Sequence, residues 1–355
     1  MMMVNMLILL VGFVALLKGA EVFVEGSSTL AKTLRVPGVI IGLTIVAFGT
    51  SAPELAVSTL AAMQGSSEIS ISNVVGSNIF NLLGILGICA LIRPVAVEKG
   101  ITKRDFPVTL GATVLVLLGS CLPILISGDW IHMSMSKEAG VVTRGLALVM
   151  LVLFALYLTS LILEARKHPA LEGMSRDGIP APVLEAREEI SKGSPEQATD
   201  TQGSSPEGPL WKSILFILAG LAFVIAGGQA VVYAAKGIAG ALGMTETLIG
   251  LTIVAVGTSL PELVTSIVAA RKGEVGMAVG NVVGSNIFNM MFILGVSALI
   301  RPVTVNGASL WDLLILTAVS VVAFVLSRSK RTIDSWEGAL MLLLYGADLA
   351  FAILR

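Results

Sequence analysis

The sequence predicts an all-α membrane protein of ten transmembrane helices, arranged as two inverted five-helix repeats. Three observations carry that expectation. The 355 residues are 55% hydrophobic and only 13% charged, where a soluble chain holds about 25% charged residues. Ten apolar segments are each long enough to cross hydrocarbon, which takes about 20 residues of helix. Blocks of sequence also recur at a fixed displacement of 208 positions, the distance from Glu54 to Glu262.

The spans begin near Val4, Pro37, Ile69, Phe106 and Val142, then near Leu210, Thr247, Met277, Leu310 and Glu337. The first 17 residues carry no charge, so a secretory signal with a basic leading region fits poorly and they read as a retained first span. Residues 1–164 make up the first repeat. Residues 165–209 mix Pro, Gly, Ser, Glu and Gln with scattered charges and little apolar periodicity, which is the composition of a disordered linker. Residues 210–355 form the second repeat. Lys32, Arg35, Arg93, Lys99, Lys103, Arg104, Arg271, Lys272, Arg328, Lys330 and Arg331 fall on one face, and the other face is poor in basic residues. The positive-inside rule then places both termini outside and the linker in the cytoplasm of a multi-pass cell (inner) membrane protein.

Composition also removes function classes. A net charge of −1 argues against nucleic-acid binding, and two histidines leave little room for histidine-based metal chemistry. Cys89 and Cys121 lie in apolar runs without zinc or disulfide spacing. No paired aspartates, Ser/His or Ser/Lys dyad, or zinc ligands stand inside the spans, so the chain does not read as an enzyme. No cofactor and no obligatory protein partner is visible; the lipid bilayer is the expected surrounding.

GLTIVAFGTSAPE at 42–54 returns as GLTIVAVGTSLPE at 250–262. NVVGSNIFN at 73–81 returns unchanged at 281–289, and ALIRPV at 90–95 returns at 298–303. The chain is a duplication. Five spans per copy would turn the second copy upside down, the design of transporters whose substrates bind near the midplane. Arg93 on the basic face and its counterpart Arg301 on the other agree with inversion.

Glu54 and Glu262 interrupt stretches otherwise free of charge, from Val36 to Ser67 and from Thr247 to Ala270. A charge at such depth costs at least about 2.5–3.5 kcal/mol. Spans two, three, seven and eight offer no lysine or arginine between their ends. The acids are therefore either protonated or matched by a mobile cation, and the oxygen donors around them favour the cation. Thr50 and Ser51 precede Glu54 by four and three residues, a spacing that shares one helix face. Thr258 and Ser259 precede Glu262 in the same way. Pro53 lacks an N–H, so a break near Gly49 would expose carbonyls such as those of Ala47 and Thr50, and Gly257 with Pro261 would do the same for Ala255 and Thr258. Ser77 with Asn81, and Ser285 with Asn289, add neutral oxygens on single faces. Asn73, Asn78, Asn281 and Asn286 read either as further donors or as interhelical hydrogen-bond partners. Gln229 and Asp348 read as structural polar residues. Two carboxylates among hydroxyl, amide and carbonyl oxygens suit Ca²⁺ or Na⁺ rather than zinc or copper.

The paired GTSAPE/GTSLPE and GSNIFN/GSNIFN blocks resemble the α-repeats of the sodium/calcium exchanger family within the cation/calcium antiporter superfamily, in its prokaryotic form of two α-repeats without a regulatory domain. The resemblance implies electrogenic exchange of Na⁺ for Ca²⁺ by alternating access. By motif position it implies that Glu54 and Glu262 bind Ca²⁺ and also contact Na⁺, and that Thr50 and Thr258 donate backbone and hydroxyl oxygens. It implies that Ser51, Ser77, Ser259 and Ser285, with the Ala47 and Ala255 carbonyls, complete the sodium sites around Asn81 and Asn289. Several relatives carry an acid at one of those two central positions, and potassium-coupled ones tend to use an aspartate there. Asparagine at both positions makes potassium-dependent exchange the weaker expectation. Proton-coupled relatives usually show GNAxE, so GTSxPE in both halves favours sodium, with Ca²⁺/H⁺ antiport through the same glutamates as the alternative.

Overall fold

A computed structural model describes residues 2–167, 210–242 and 255–354. The apolar segments fold as α1 (Met2–Leu34), a bent pair α2 (Gly38–Thr50) and α3 (Ala52–Gln64), and α4 (Ser67–Ile92). Then come α5 (Ile101–Ser127), α6 (Arg144–Lys167) and α7 (Leu210–Ala241). α8 (Leu260–Arg271), α9 (Val275–Ile300), α10 (Gly307–Ser329) and α11 (Ser335–Leu354) complete the set. Among the described residues, 8 helices are long and apolar enough to span a membrane, or 9 with the bent pair taken as one span. The chain is a multi-span, all-α integral membrane protein. The expected start of span seven near Thr247 lies outside the described residues. So does the linker beyond Lys167, up to which α6 continues past the expected boundary at 164.

At 33 residues, α1 is about 50 Å long at 1.5 Å per residue, well beyond the roughly 30 Å of hydrocarbon. A helix of that length tilts or projects from the bilayer. It lies against α7 along heptad-spaced glycines: Gly12 faces Gly227, Gly19 faces Gly220, and Gly26 faces Ser213. A Cβ on Gly220 would stand 2.5 Å from the backbone nitrogen of Phe23, and one on Gly227 would stand 2.6 Å from that of Leu16. Small residues let two backbones touch where lipid gives no hydrophobic drive for association. Gly220→Val is expected to destabilise the protein by about 2–3 kcal/mol, because a branched side chain must push the two helices apart. Thermal unfolding in detergent reads this as a lowered midpoint.

α4 and α9 are the most buried of the long helices. An aromatic cluster seals their flank, with Phe48 stacked on Phe288 at 4.6 Å and Phe154 tilted against Phe288 at 5.8 Å. At one end of the bundle, Arg93 after α4 approaches Gly273 in the turn between α8 and α9. At the other end, Arg301 after α9 packs on Gly65, which takes φ +82 in the turn between α3 and α4. Arg144 there donates to the Leu299 and Ile300 carbonyls at 3.1 and 3.2 Å, satisfying acceptors at a helix C-terminus. α4 and α9 thus run in opposite directions.

Two short sheets form between the spans. β1 (Val95–Ala96) pairs antiparallel with β4 (Thr332–Ile333), and β2 (Glu138–Val142) pairs with β3 (Val303–Asn306). Each follows or precedes a span and is rich in β-branched residues. Both sheets join a strand of the first half to a strand of the second. Such pairing has no signature in local periodicity, because each strand is too short to show one.

Candidate functional site

The second span breaks at Ser51 (φ −81, ψ 9), and α2 and α3 meet there at 49°. Ser259 has the same conformation (φ −90, ψ 9) just before α8. Pro53 and Pro261 fall in the first turn of the new helix, where the missing N–H has no intrahelical partner to lose. Glu54 and Glu262 occupy those same first turns, at the positive end of each helix dipole. The break therefore places an acid at a helix start in the middle of the molecule, where both glutamates are buried.

Each carboxylate is met by the opposite half of the chain. Ser259 donates to Glu54 Oε1 at 3.0 Å, and Ser51 donates to Glu262 Oε1 at 2.7 Å. Ser77 reaches Glu54 Oε1 at 3.5 Å and bonds Ser259 at 3.1 Å; Ser285 bonds Ser51 at 3.0 Å. Thr50, Ser51 and Glu54 are buried in the same centre, but the Ser51 hydroxyl meets the glutamate of the opposite half rather than its own. The kink at Ser51 ends the regular face, so its hydroxyl turns to the partner glutamate. The Thr50 hydroxyl shares its proton between the Val46 carbonyl at 3.0 Å and Asn281 Oδ1 at 3.1 Å, while Thr258 donates to Asn73 Oδ1 at 3.4 Å. The Ala47 carbonyl is also not released by the break: it keeps the Ser51 N–H at 3.0 Å and faces the Ser285 hydroxyl at 3.5 Å. Ala255 opens the short helical turn Ala255–Gly257 on the same side of the second break.

Asn81 and Asn289 sit in widened π turns, Phe80–Ile85 and Phe288–Ile293, that replace the regular helix expected there. Such turns gather at functional positions because they shift one residue out of register. Asn81 donates to Asn286 Oδ1 and Asn289 donates to Asn78 Oδ1, both at 3.0 Å. Asn78 and Asn286 donate to each other's backbone carbonyls, both at 3.2 Å. These two form the seam between α4 and α9. Asn73 and Asn281 brace the acids' backbones, each donating at 3.3 Å to the carbonyl of Glu54 or Glu262. Ser58 and Ser266, which the sequence reading overlooked, accept from those same amides at 2.9 and 2.8 Å. Their signal was present: both are serines four residues after the glutamate, repeated at the same displacement.

Four oxygens at this centre lack a hydrogen-bond partner: Glu54 Oε2, Glu262 Oε2, Asn81 Oδ1 and Asn289 Oδ1. Buried acceptors of this kind normally find a donor. Among the described residues, no ion pair involves either glutamate. A cavity of about 300 Å³ opens beside the centre, between α7 and the two breaks, and reaches Pro53, Gly257, Thr258 and Pro261.

A multi-span helical bundle with two copies of one motif facing each other around unpaired buried acids defines the class: a membrane transport protein. Its sequence matches the family described as sodium/calcium exchanger protein over residues 4–163 and 212–354. The chain belongs to that family, which is one of exchangers and not of enzymes. It is 35% identical over 359 residues to the sodium/calcium exchanger MaX1 of Methanosarcina acetivorans, covering 98% of each chain. It is 32% identical to the inner membrane protein YrbG of Escherichia coli, covering 98% of this chain and 95% of that one. Among solved structures, the sodium-calcium exchanger NCX_Mj soaked with Na⁺ and Sr²⁺ superposes with a TM-score of 0.75 at 28% identity, covering 99% of each chain.

Proposed function

We propose that the chain exchanges Na⁺ for Ca²⁺ across the membrane by alternating access, with both ions held in turn between Glu54 and Glu262. The observation that carries this reading is the set of four partnerless buried oxygens, two of them on carboxylates. A hard cation is the species that oxygen donors without nitrogen or sulfur suit best. Ser51, Ser77, Ser259, Ser285, Thr50, Thr258, Asn81, Asn289 and the Ala255 carbonyl complete the donor set, together with the second lone pair of the Ala47 carbonyl, whose first holds the Ser51 N–H. One Ca²⁺ balances two carboxylates, whereas Na⁺ must do so as several ions, so the two cations compete for one cage. The reciprocal contacts at Asn78 and Asn286, and the opposed directions of α4 and α9, support ten spans in two inverted halves. The distribution of basic residues supports external termini.

The test is calcium uptake into proteoliposomes loaded with Na⁺. Uptake is expected to follow the outward sodium gradient and to respond to membrane potential, as electrogenic exchange requires. Uptake driven by a proton gradient without sodium would instead assign the coupling to protonation of the same glutamates.

A further inference from the structure

Gln229, Tyr233 and Lys236 stand at i, i+4 and i+7 on α7, so they form one stripe. All three are exposed and line the cavity that ends on Thr258. An amide and an ammonium aimed into hydrocarbon from an otherwise apolar helix are costly, so the cavity reads as an aqueous recess rather than a lipid crevice. Lys236 supplies the only formal charge on its wall among the described residues.

The repeat makes this charge informative. Gly12 corresponds to Gly220 and Gly19 to Gly227 at the common displacement, which fixes the register of α1 against α7. In that register Gln229, Tyr233 and Lys236 correspond to Glu21, Glu25 and Ser28. Ser28 donates to Glu274 at 2.6 Å, Lys272 lies 3.7 Å from Glu25, and Lys18 bonds Glu21 at 2.7 Å. Where α7 carries an amide, a phenol and an ammonium, α1 carries two carboxylates and a hydroxyl. The two halves share a backbone plan, and the ammonium of Lys236 has no counterpart at the matching position of α1.

We propose that Lys236 is a valence filter on the ion path through this cavity. The proposal rests on the antiport reading. A positive potential depresses the local concentration of a cation by its Boltzmann weight, and a divalent ion feels that potential twice, so its penalty is the square of the monovalent one. One charge about 10 Å from the path in water lowers Na⁺ about twofold and Ca²⁺ about fourfold at low ionic strength. The cavity side is thereby tuned toward sodium entry.

Two measurements test this. In proteoliposomes at low ionic strength, with ions added from the side on which the cavity opens, Lys236→Gln is expected to lower half-saturating Ca²⁺ about fourfold and half-saturating Na⁺ about twofold. Both shifts should shrink as an inert salt raises ionic strength, and Lys236→Arg should behave as the unchanged chain. Equal shifts for the two ions, no shift, or an arginine variant that matches the glutamine variant would overturn the proposal. The second measurement needs no transport, so it separates failure of the filter from failure of antiport. A cysteine in place of the exposed Ala56 on the cavity wall is labelled with cationic and neutral methanethiosulfonates. The native cysteines are buried and add little background. The cationic reagent should react more slowly relative to the neutral one, and Lys236→Gln should remove the difference; a ratio that ignores Lys236 overturns the field itself.

Discussion

Glu54→Gln is expected to abolish sodium-driven calcium uptake, and Glu262→Gln to do the same. Glutamine keeps the shape and an oxygen for the serine of the opposite half, so the change isolates the charge. At an effective dielectric of about 20, one unit charge about 4 Å from another is worth roughly 4 kcal/mol, and a divalent ion doubles that. Desolvation returns part of it, leaving a loss of at least about 3 kcal/mol, or 100-fold in affinity. The sign of the stability change is the more discriminating result. Neither carboxylate has a cationic partner among the described residues, so without ions each glutamine variant should unfold at a temperature no lower than the parent. Calcium should raise the parent's midpoint, as a ligand that binds only the folded state must, and should leave the variants' midpoints nearly unmoved. Calcium uptake preserved in either variant would remove the glutamates from the ion path.

Asn78→Ala is the second large effect, and here stability falls together with transport. The Asn78 side chain donates to the Asn286 carbonyl and accepts from Asn289. Alanine removes both bonds and strands the Asn289 amide in a buried site. Interhelical hydrogen bonds in membranes average about 0.6 kcal/mol, which sets a floor near 1 kcal/mol for the pair. A stranded buried donor costs about 1–3 kcal/mol. The expected loss is about 2–4 kcal/mol in the unfolding free energy, measured in detergent. Asn289 also carries one of the partnerless oxygens, so its release should weaken ion affinity as well. A variant with unchanged melting and unchanged half-saturation would show that the seam between α4 and α9 does not depend on this pair.

The sequence made Glu54 and Glu262 legible because hydrocarbon penalises an unpaired charge so heavily that any such residue stands out. The duplication was equally plain, since identity over GSNIFN needs no structure to detect. What stayed hidden was every relation across the halves. Spacing along one helix suggested that Ser51 serves Glu54, whereas the kink at Ser51 sends its hydroxyl to Glu262. The Ala47 carbonyl was expected to be exposed by a local break near Gly49, yet the break falls at Ser51, whose own N–H keeps that acceptor occupied. The π turns at Asn81 and Asn289 left no trace either, as they arise from how α4 and α9 fit together rather than from local propensity. Ser58 and Ser266 were missed for a simpler reason: a serine in a membrane helix ordinarily satisfies itself on its own backbone.

The pairing of β1 with β4 and of β2 with β3 has a consequence for biosynthesis. A ribosome that has released the chain only as far as α6 has produced two strands whose partners, residues 303–306 and 332–333, do not yet exist. The early half keeps both strand edges unpaired until the late half arrives. The same dependence means that the two halves, translated from separate messages, should find each other and rebuild a working whole, while either one expressed alone should be cleared by proteolysis.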